Sequence, residues 1–211
     1  MQSTRIKYIL LFLFIITTMF SQKKLYPKDT ILTYLFEIKE NNSPYKFLDT
    51  VKLEIYTNKW KGKDSIQNLA CWKYKNLNYE KECIGIIDNE KWLFLHPPRV
   101  EQFIVLEGCP FPSLSLPLYK GLSSKGVTVV PNNTPEYGDF QGTKIYTKQK
   151  VIENVDFIFA NSKIESWKIV AKTKHVNGRS SLVYYFNPKY GILSMEYLVS
   201  KKLSYKFTLL P

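Results

Sequence analysis

The sequence is poor in arginine, histidine and cysteine, and each scarcity narrows the range of functions. Only three of its 30 basic residues are Arg, namely Arg5, Arg99 and Arg179. Arg is the side chain that contacts guanine edges and phosphates bidentately, so no nucleic-acid partner is predicted although the net charge is +12. The cationic surplus comes from Lys. It indicates either a solvated exterior or attraction to an anionic membrane surface.

Residues suited to catalysis or metal binding are also few. The two His residues, His96 and His175, do not lie at zinc-ligand spacing from a Cys pair, so neither a metal nor another cofactor is predicted. The chain contains no Gly-x-Ser-x-Gly nucleophile elbow. Two acid pairs are candidates for glycoside hydrolysis: Glu165 with Glu196, and Glu153 with Asp156. The sequence does not set their separations, so a non-catalytic role is favoured and a hydrolase stays an alternative.

The three Cys residues predict one disulfide and one free thiol in an oxidising compartment. Cys71 and Cys83 both lie in strand-like segments and would close a short loop, so this pairing is favoured. Pairings that involve Cys109 stay open.

The N-terminus predicts export. Arg5 and Lys7 precede an apolar run of 13 residues, Tyr8 to Phe20. A basic segment before a short apolar one is typical of a secretory signal peptide, and a membrane span needs roughly 20 residues. We therefore predict a signal peptide at 1–21 and one β domain at 22–211, in the periplasm or outer cell envelope. Met19 is not the small residue expected before a cleavage site, so an uncleaved N-terminal anchor is the alternative.

The last quarter of the chain predicts a four-strand β-meander. Turn residues at Asn177-Gly178 and at 187–191 separate segments of alternating apolar and polar residues. In the last segment Leu203, Tyr205 and Phe207 face one way and Ser204 and Lys206 the other.

Strand-like segments also fill the first part of the chain, and no convincing amphipathic helix is found. They lie at 31–38, 51–56, 69–75, 83–87, 91–95, 100–106, 142–151 and 155–160. Pro110, Pro112 and Pro117 lack N–H donors, so the stretch around them cannot be a central strand. We predict an all-β fold: a single antiparallel curved sheet that forms a half-barrel or barrel, with the proline-rich stretch crossing its open side.

Three short motifs resemble a known family. These are Pro117-Leu118-Tyr119-Lys120-Gly121, then Ser166-Trp167-Lys168-Ile169, then the hairpin from Tyr184 to Tyr197. Their order is similar to that in uncharacterised secreted proteins of Bacteroidetes, a family of unknown function described as an incurved half-barrel. The resemblance covers about 113–210 and departs from the family pattern at Leu122, where an aromatic residue is usual. It implies a periplasmic role that involves a hydrophobic ligand, by analogy with lipoprotein carriers that have related curved sheets.

The aromatic residues supply the candidate binding site. Six of them lie on strands that should share one sheet and are the predicted ligand-binding residues: Trp92, Phe94, Trp167, Tyr184, Phe186 and Tyr205. Aromatics on a concave face line a pocket for a lipid or another apolar ligand, or else fill an ordinary core. The leading hypothesis is an exported envelope protein that binds a hydrophobic ligand. The alternative is a structural or protein-interaction module that contacts an envelope partner through sheet edges or through Lys168, Lys172 and Lys206.

Overall fold

The fold is described from a computed structural model that covers residues 25–26, 29–40, 43, 46–56, 67–75, 81–89, 91–130, 132, 140–175, 178–200 and 203–211. Residues 1–21 lie outside this range, so the signal peptide stays a prediction. The described residues form twelve strands: β1 Thr30–Glu40, β2 Lys46–Tyr56, β3 Gln67–Tyr74, β4 Lys81–Asp88, β5 Trp92–Phe94, β6 Ser113–Ser115, β7 Ser123–Val129, β8 Lys144–Phe159, β9 Ser162–His175, β10 Gly178–Asn187, β11 Gly191–Leu198 and β12 Leu203–Leu209.

All twelve strands belong to one antiparallel sheet, as predicted. Their order is β6-β5-β4-β3-β2-β1-β12-β11-β10-β9-β8-β7. Strands that pair in the sheet are therefore consecutive along the chain, except that the first strand, β1, pairs with the last, β12. β1 pairs with β12 from Tyr34 opposite Leu209 to Glu40 opposite Leu203. The first and last of the described strands therefore pair in the middle of the sheet, and the predicted C-terminal meander is confirmed as β9 to β12.

The sheet is strongly curved. Strands lie about 4.8 Å apart, so in a flat sheet β6 and β8 would be about 48 Å apart. In the molecule the Gln149 Nε2 of β8 donates a hydrogen bond to the Ser113 carbonyl of β6. The sheet therefore curls until its two edges approach each other, but β6 and β7 do not pair in the described chain. The result is an open, curved sheet with a seam between these two edge strands.

The segment between β5 and β6 fills the concave side. Residues 100–106 were predicted as a strand, and this is wrong: Glu101–Gly108 is a 3₁₀ helix. Phe103 and Leu106 are buried, and they share one face because residues three apart eclipse in a 3₁₀ helix. The four consecutive apolar residues at 103–106 are compatible both with the two-residue period of a strand and with the period of a helix. The local sequence pattern therefore could not distinguish a strand from a 3₁₀ helix.

Side chains of the sheet hold this segment, which we call the plug (residues 95–112), by hydrogen bonds to its carbonyl groups. Trp72 Nε1 donates to the His96 carbonyl at 3.0 Å, and Tyr205 Oη donates to the Gln102 carbonyl at 2.7 Å. Thr173 and Ser180 lie within 3.2 Å of the Gly108 carbonyl. Four different strands thus satisfy a buried loop backbone that would otherwise lose its hydrogen bonds to water.

Aromatic rings pack tightly around the plug. The Phe103 ring lies 5.0 Å from Phe36, 5.7 Å from Tyr74 and 5.9 Å from Phe207, between centroids. These spacings are those of packed aromatic pairs. At these residues the concave side is a filled core, not a cavity.

Two smaller features complete the fold. Cys71 and Cys83 lie directly opposite each other on β3 and β4 and form a disulfide, while Cys109 is free and buried. The favoured pairing is confirmed. In the part of the chain described here, no helix has the length and apolar character of a membrane span.

Candidate ligand cleft at the open seam

A cleft of about 300 Å³ lies where the two edges of the sheet face each other. One wall is apolar and comes from β4, β5 and the plug, with Ile87, Trp92, Phe94 and Phe111. The other wall comes from β7 and β8 and carries Ser124, Thr128 and Thr147. The cleft thus combines an apolar surface with hydroxyl groups.

The seam exists because β6 cannot extend. Pro112 precedes this three-residue strand and Pro117 follows it closely, and neither residue has the N–H group that a ladder requires. The prolines were predicted to exclude this stretch from a central position, and β6 is an edge strand. Among the described strands, β7 (seven residues long) pairs with β8 alone.

A buried polar group forms the floor of the cleft. Gln149 donates its amide hydrogen to the Ser113 carbonyl and accepts a hydrogen bond from Tyr184 Oη at 3.1 Å. Tyr184 is fully buried, and burial raises the pKa of its hydroxyl, so it stays a neutral donor. Gln149 is therefore fixed at both ends, and the two edges of the sheet are tied together beneath the cleft.

The apolar wall is backed by His96. Its ring lies 4.9 Å from the Phe94 ring and 4.4 Å from the Phe111 ring, between centroids. Its buried Nδ1 atom has no hydrogen-bond partner among the described residues. Burial, assisted by the nearby Arg99 charge, lowers the pKa of His96 to about 3. The neutral imidazole behaves here as a packing group.

Arg99 links the plug to strand β4. Its Nε lies 2.9 Å from the Glu82 carboxylate and its Nη1 lies 3.4 Å from that of Glu107. Burial raises the pKa of Glu107, whereas the Arg99 charge opposes this rise. This ion network fixes the start and end of the 3₁₀ helix.

The six predicted ligand-binding residues occupy different environments. Trp92 and Phe94 line the cleft, and Trp92 is 49 % exposed. Phe186 and Tyr205 are buried in the core, while Tyr184 is buried under the cleft floor. Trp167 lies opposite Phe186 and is half-buried against the core. The structure therefore brings two of the six to the cleft surface and places a third just beneath it.

Sequence reasoning missed the opposite wall. Residues 123–129 were not predicted as a strand, although Val127 and Val129 alternate with Gly126 and Thr128. That alternation is the only local signal. Phe111 and Gln149 belong to the site because the sheet curls, and this cannot be read from neighbouring residues.

The acid pairs are poorly placed for glycoside hydrolysis. Glu196 lies opposite Val183, which lies opposite Val170, five residues from Glu165 along β9. This offset is about 17 Å, beyond the roughly 5–9.5 Å used by glycosidases. Asp156 and Glu196 form ion pairs with Lys163 and Lys206.

Among the described residues, the other candidates for catalysis or metal binding also lack a suitable arrangement of partner groups. Glu153 of the second acid pair lies opposite Lys168. His175 is the last residue of β9. Across the described ranges, no group of three His, Cys, Asp or Glu side chains lies close enough to hold a metal ion.

Comparisons with known proteins add little about function. No family model and no curated protein matches the chain, so the resemblance to the half-barrel family stays a prediction. A solved structure, that of the hypothetical lipoprotein YmcC from Escherichia coli (K12), aligns with a TM-score of 0.41 and 7% identity. The alignment covers 84% of this chain and 86% of that one. At this level of similarity, function has to be inferred from the chain's own residues.

Proposed function

We propose that the protein is an exported cell-envelope protein that binds a small apolar or amphiphilic ligand in the seam cleft. The observation that carries the proposal is the apolar wall, where a half-exposed Trp92 lies beside Phe94 and Phe111. Large aromatics are seldom left in a concave surface without a ligand or partner to cover them.

The filled interior directs the ligand to the seam. Because Phe103 and its neighbours occupy the concave side, an acyl chain cannot enter there without displacing the plug. The cleft volume of about 300 Å³ lies at the lower end of the range for ligand pockets, about 300–1,000 Å³. We therefore expect a ligand with one short acyl chain or a similarly small apolar group.

The hydroxyl groups of the opposite wall suit a polar head. Ser124, Thr128 and Thr147 line the cleft across from the aromatic residues. A ligand with one apolar and one polar end would bury the first against Trp92 and hydrogen-bond the second to these residues. Such a division of contacts is typical of small-molecule sites.

Export is supported by the apolar N-terminal run and by the disulfide. Structural disulfides persist in oxidising compartments and are rare in the cytosol. Cys71–Cys83 joins two adjacent strands of the core sheet and leaves one buried thiol. Fractionation of cells, with N-terminal sequencing of the exported form, tests this part. A mature chain that begins near residue 22 supports it, and retention in the cytosol contradicts it.

Ligand binding can be tested with dodecanoate as the probe. Native mass spectrometry should show a one-to-one complex, and titration should change the fluorescence of Trp92. Truncation of Trp92 or Phe94 to Ala should weaken binding by about tenfold to a hundredfold, because each ring loses its buried apolar contact.

Trp167→Ala is the matched control, since it removes an aromatic side chain outside the cleft. It should lower thermal stability but leave the dodecanoate affinity within about twofold, because its contacts belong to the core. If Trp167→Ala abolishes binding while Trp92→Ala and Phe94→Ala retain it, the ligand binds at another site. Absence of any complex would reject the proposal.

A further inference from the structure

A row of lysines crosses the outer face of the sheet beside the cleft. Lys125 of β7 lies directly opposite Lys148 of β8, which lies directly opposite Lys172 of β9. Directly opposed side chains point to the same face of a sheet and have Cβ atoms about 5 Å apart. Three ammonium groups are thus adjacent.

The row belongs to a larger cationic face. Seven exposed basic residues share the outer side of β7 to β10 and define it: Lys125, Lys144, Lys148, Lys150, Lys172, Lys174 and Arg179. None of them lies within ion-pair distance of a carboxylate that the structure describes.

This arrangement destabilises the free protein. Like charges directly opposite each other in a sheet are unfavourable, whereas opposite charges contribute stability. The same sheet follows the usual rule elsewhere, where Glu196 lies opposite Lys206 with 2.9 Å between their charged groups. An anionic partner would relieve the repulsion at the lysine row.

Exposed apolar side chains lie on the same face. Val127 lies directly opposite Tyr146, and Val129 lies opposite Lys144. Their exposed fractions are 55% for Val127, 60% for Val129 and 58% for Tyr146. A soluble polyanion would leave these three side chains in water. An anionic bilayer would contact both the charged and the apolar side chains of this face. Tyr favours the headgroup level, and Lys extends its ammonium group to the lipid phosphates.

We propose that the outer face of β7 to β9 is a docking surface for anionic lipid bilayers. The lysine row binds the headgroups and Val127, Val129 and Tyr146 enter the interfacial region. Lys125 and Val127 of this face also line the seam cleft, so docking places the mouth of the cleft at the membrane surface. The docking surface does not depend on the cleft having a ligand.

The first test measures binding of the purified protein to vesicles of phosphatidylcholine with and without phosphatidylglycerol. Binding should require phosphatidylglycerol and should weaken as salt is raised, because the attraction is screened. Equal binding to both types of vesicle, or binding to neither, would overturn the proposal.

Charge variants locate the surface. The triple variant Lys148→Gln, Lys172→Gln and Lys174→Gln, which alters no residue that lines the cleft, should reduce partitioning onto the anionic vesicles by about a hundredfold, at about fivefold for each lysine. It should also raise the thermal midpoint, because it removes the repulsion within the row. Loss of dodecanoate binding is not expected, so failure of this surface and failure of the cleft give different results.

A control triple removes the same charge from the other half of the sheet, through Lys39→Gln, Lys52→Gln and Lys81→Gln. These lysines are exposed on β1, β2 and β4. Their loss should reduce partitioning by no more than a few-fold. An equal effect of the two triples would show attraction to net charge alone, and the docking surface would be rejected.

Apolar variants separate a bilayer from a soluble polyanion. The double variant Val127→Ser and Tyr146→Ser should lower vesicle binding by about tenfold, through lost burial of apolar area, and leave heparin binding unchanged. If the double variant binds vesicles as well as the unaltered protein does, the face recognises charge only and the membrane assignment is wrong.

Discussion

Acid should destabilise the protein through His96. Burial and the Arg99 charge lower the pKa of His96 from 6.5 to about 3, so the folded chain leaves this imidazole neutral well below the pH at which the unfolded chain protonates it. A group whose pKa is lowered on folding contributes stability above its unfolded pKa. That stability is lost as pH falls through the interval from 6.5 towards 3.

The size of the effect follows from the two pKa values. At about pH 5 the unfolded chain binds nearly one proton at this site and the folded chain nearly none. Linkage then lowers the free energy of unfolding by about 2 kcal/mol relative to about pH 8. The lost stability is the free energy that the unfolded chain gains by binding a proton which the imidazole, packed between the Phe94 and Phe111 rings in the folded chain, does not bind.

Urea unfolding followed by Trp fluorescence measures how the free energy of unfolding depends on pH. Trp72 reports on this region, because it donates a hydrogen bond to the His96 carbonyl. The comparison is between the unaltered protein and His96→Phe at about pH 8 and about pH 5. The Phe ring keeps the packing and cannot titrate, so its loss of stability between these pH values should be about 2 kcal/mol smaller.

His175→Asn, made in parallel, measures what the other histidine contributes. Groups such as Glu107 are present in every variant and largely cancel in the difference. If His96→Phe and the unaltered protein lose the same free energy between the two pH values, His96 titrates normally in the folded state. His96 would then not be a buried, neutral packing group behind the cleft wall.

Four further predictions concern the plug and the cysteines. Phe103→Ala should lower the free energy of unfolding by about 3–5 kcal/mol in urea titrations, because it leaves a cavity among aromatic rings. Arg99→Gln should destabilise the protein at neutral pH by about 3–5 kcal/mol and less in acid, where protonation neutralises Glu107, the carboxylate that it leaves buried. Replacing Cys71 and Cys83 by Ala should cost about 3 kcal/mol, whereas Cys109, whose pKa burial raises to about 12, should react with thiol reagents only after unfolding.

Each of these predictions can fail in a specific way. An unchanged urea midpoint for Phe103→Ala would mean that the plug does not pack against the sheet. A destabilisation by Arg99→Gln that does not depend on pH would exclude the ion network as its cause. Rapid labelling of Cys109 in the folded protein would contradict its burial.

The strands with clear alternation could be predicted because each residue's environment repeats every two positions. The C-terminal meander and the segment at 51–56 followed this rule. The disulfide pairing could be favoured because Cys71 and Cys83 lie at short separation in neighbouring strand-like segments. The edge position of β6 followed from the missing N–H groups of its prolines. These are local properties of the chain.

The plug could not be predicted in this way. The apolar run at 103–106 has no distinct period, and its conformation depends on Phe36, Tyr74 and Phe207, which are remote in sequence. The same dependence on remote residues explains why only two of the six predicted ligand-binding aromatics line the cleft. Whether a strand aromatic lines a pocket or fills a core depends on what packs against it.

The sequence by itself determined an all-β chain with one curved antiparallel sheet, the favoured disulfide and a surplus of lysine. The tertiary structure decided how these features are used. Curling of the sheet set Phe94 against Thr147 across the seam, and pairing of β7, β8 and β9 aligned the lysine row. Both depend on strand register over long separations, because register sets which side chains become neighbours.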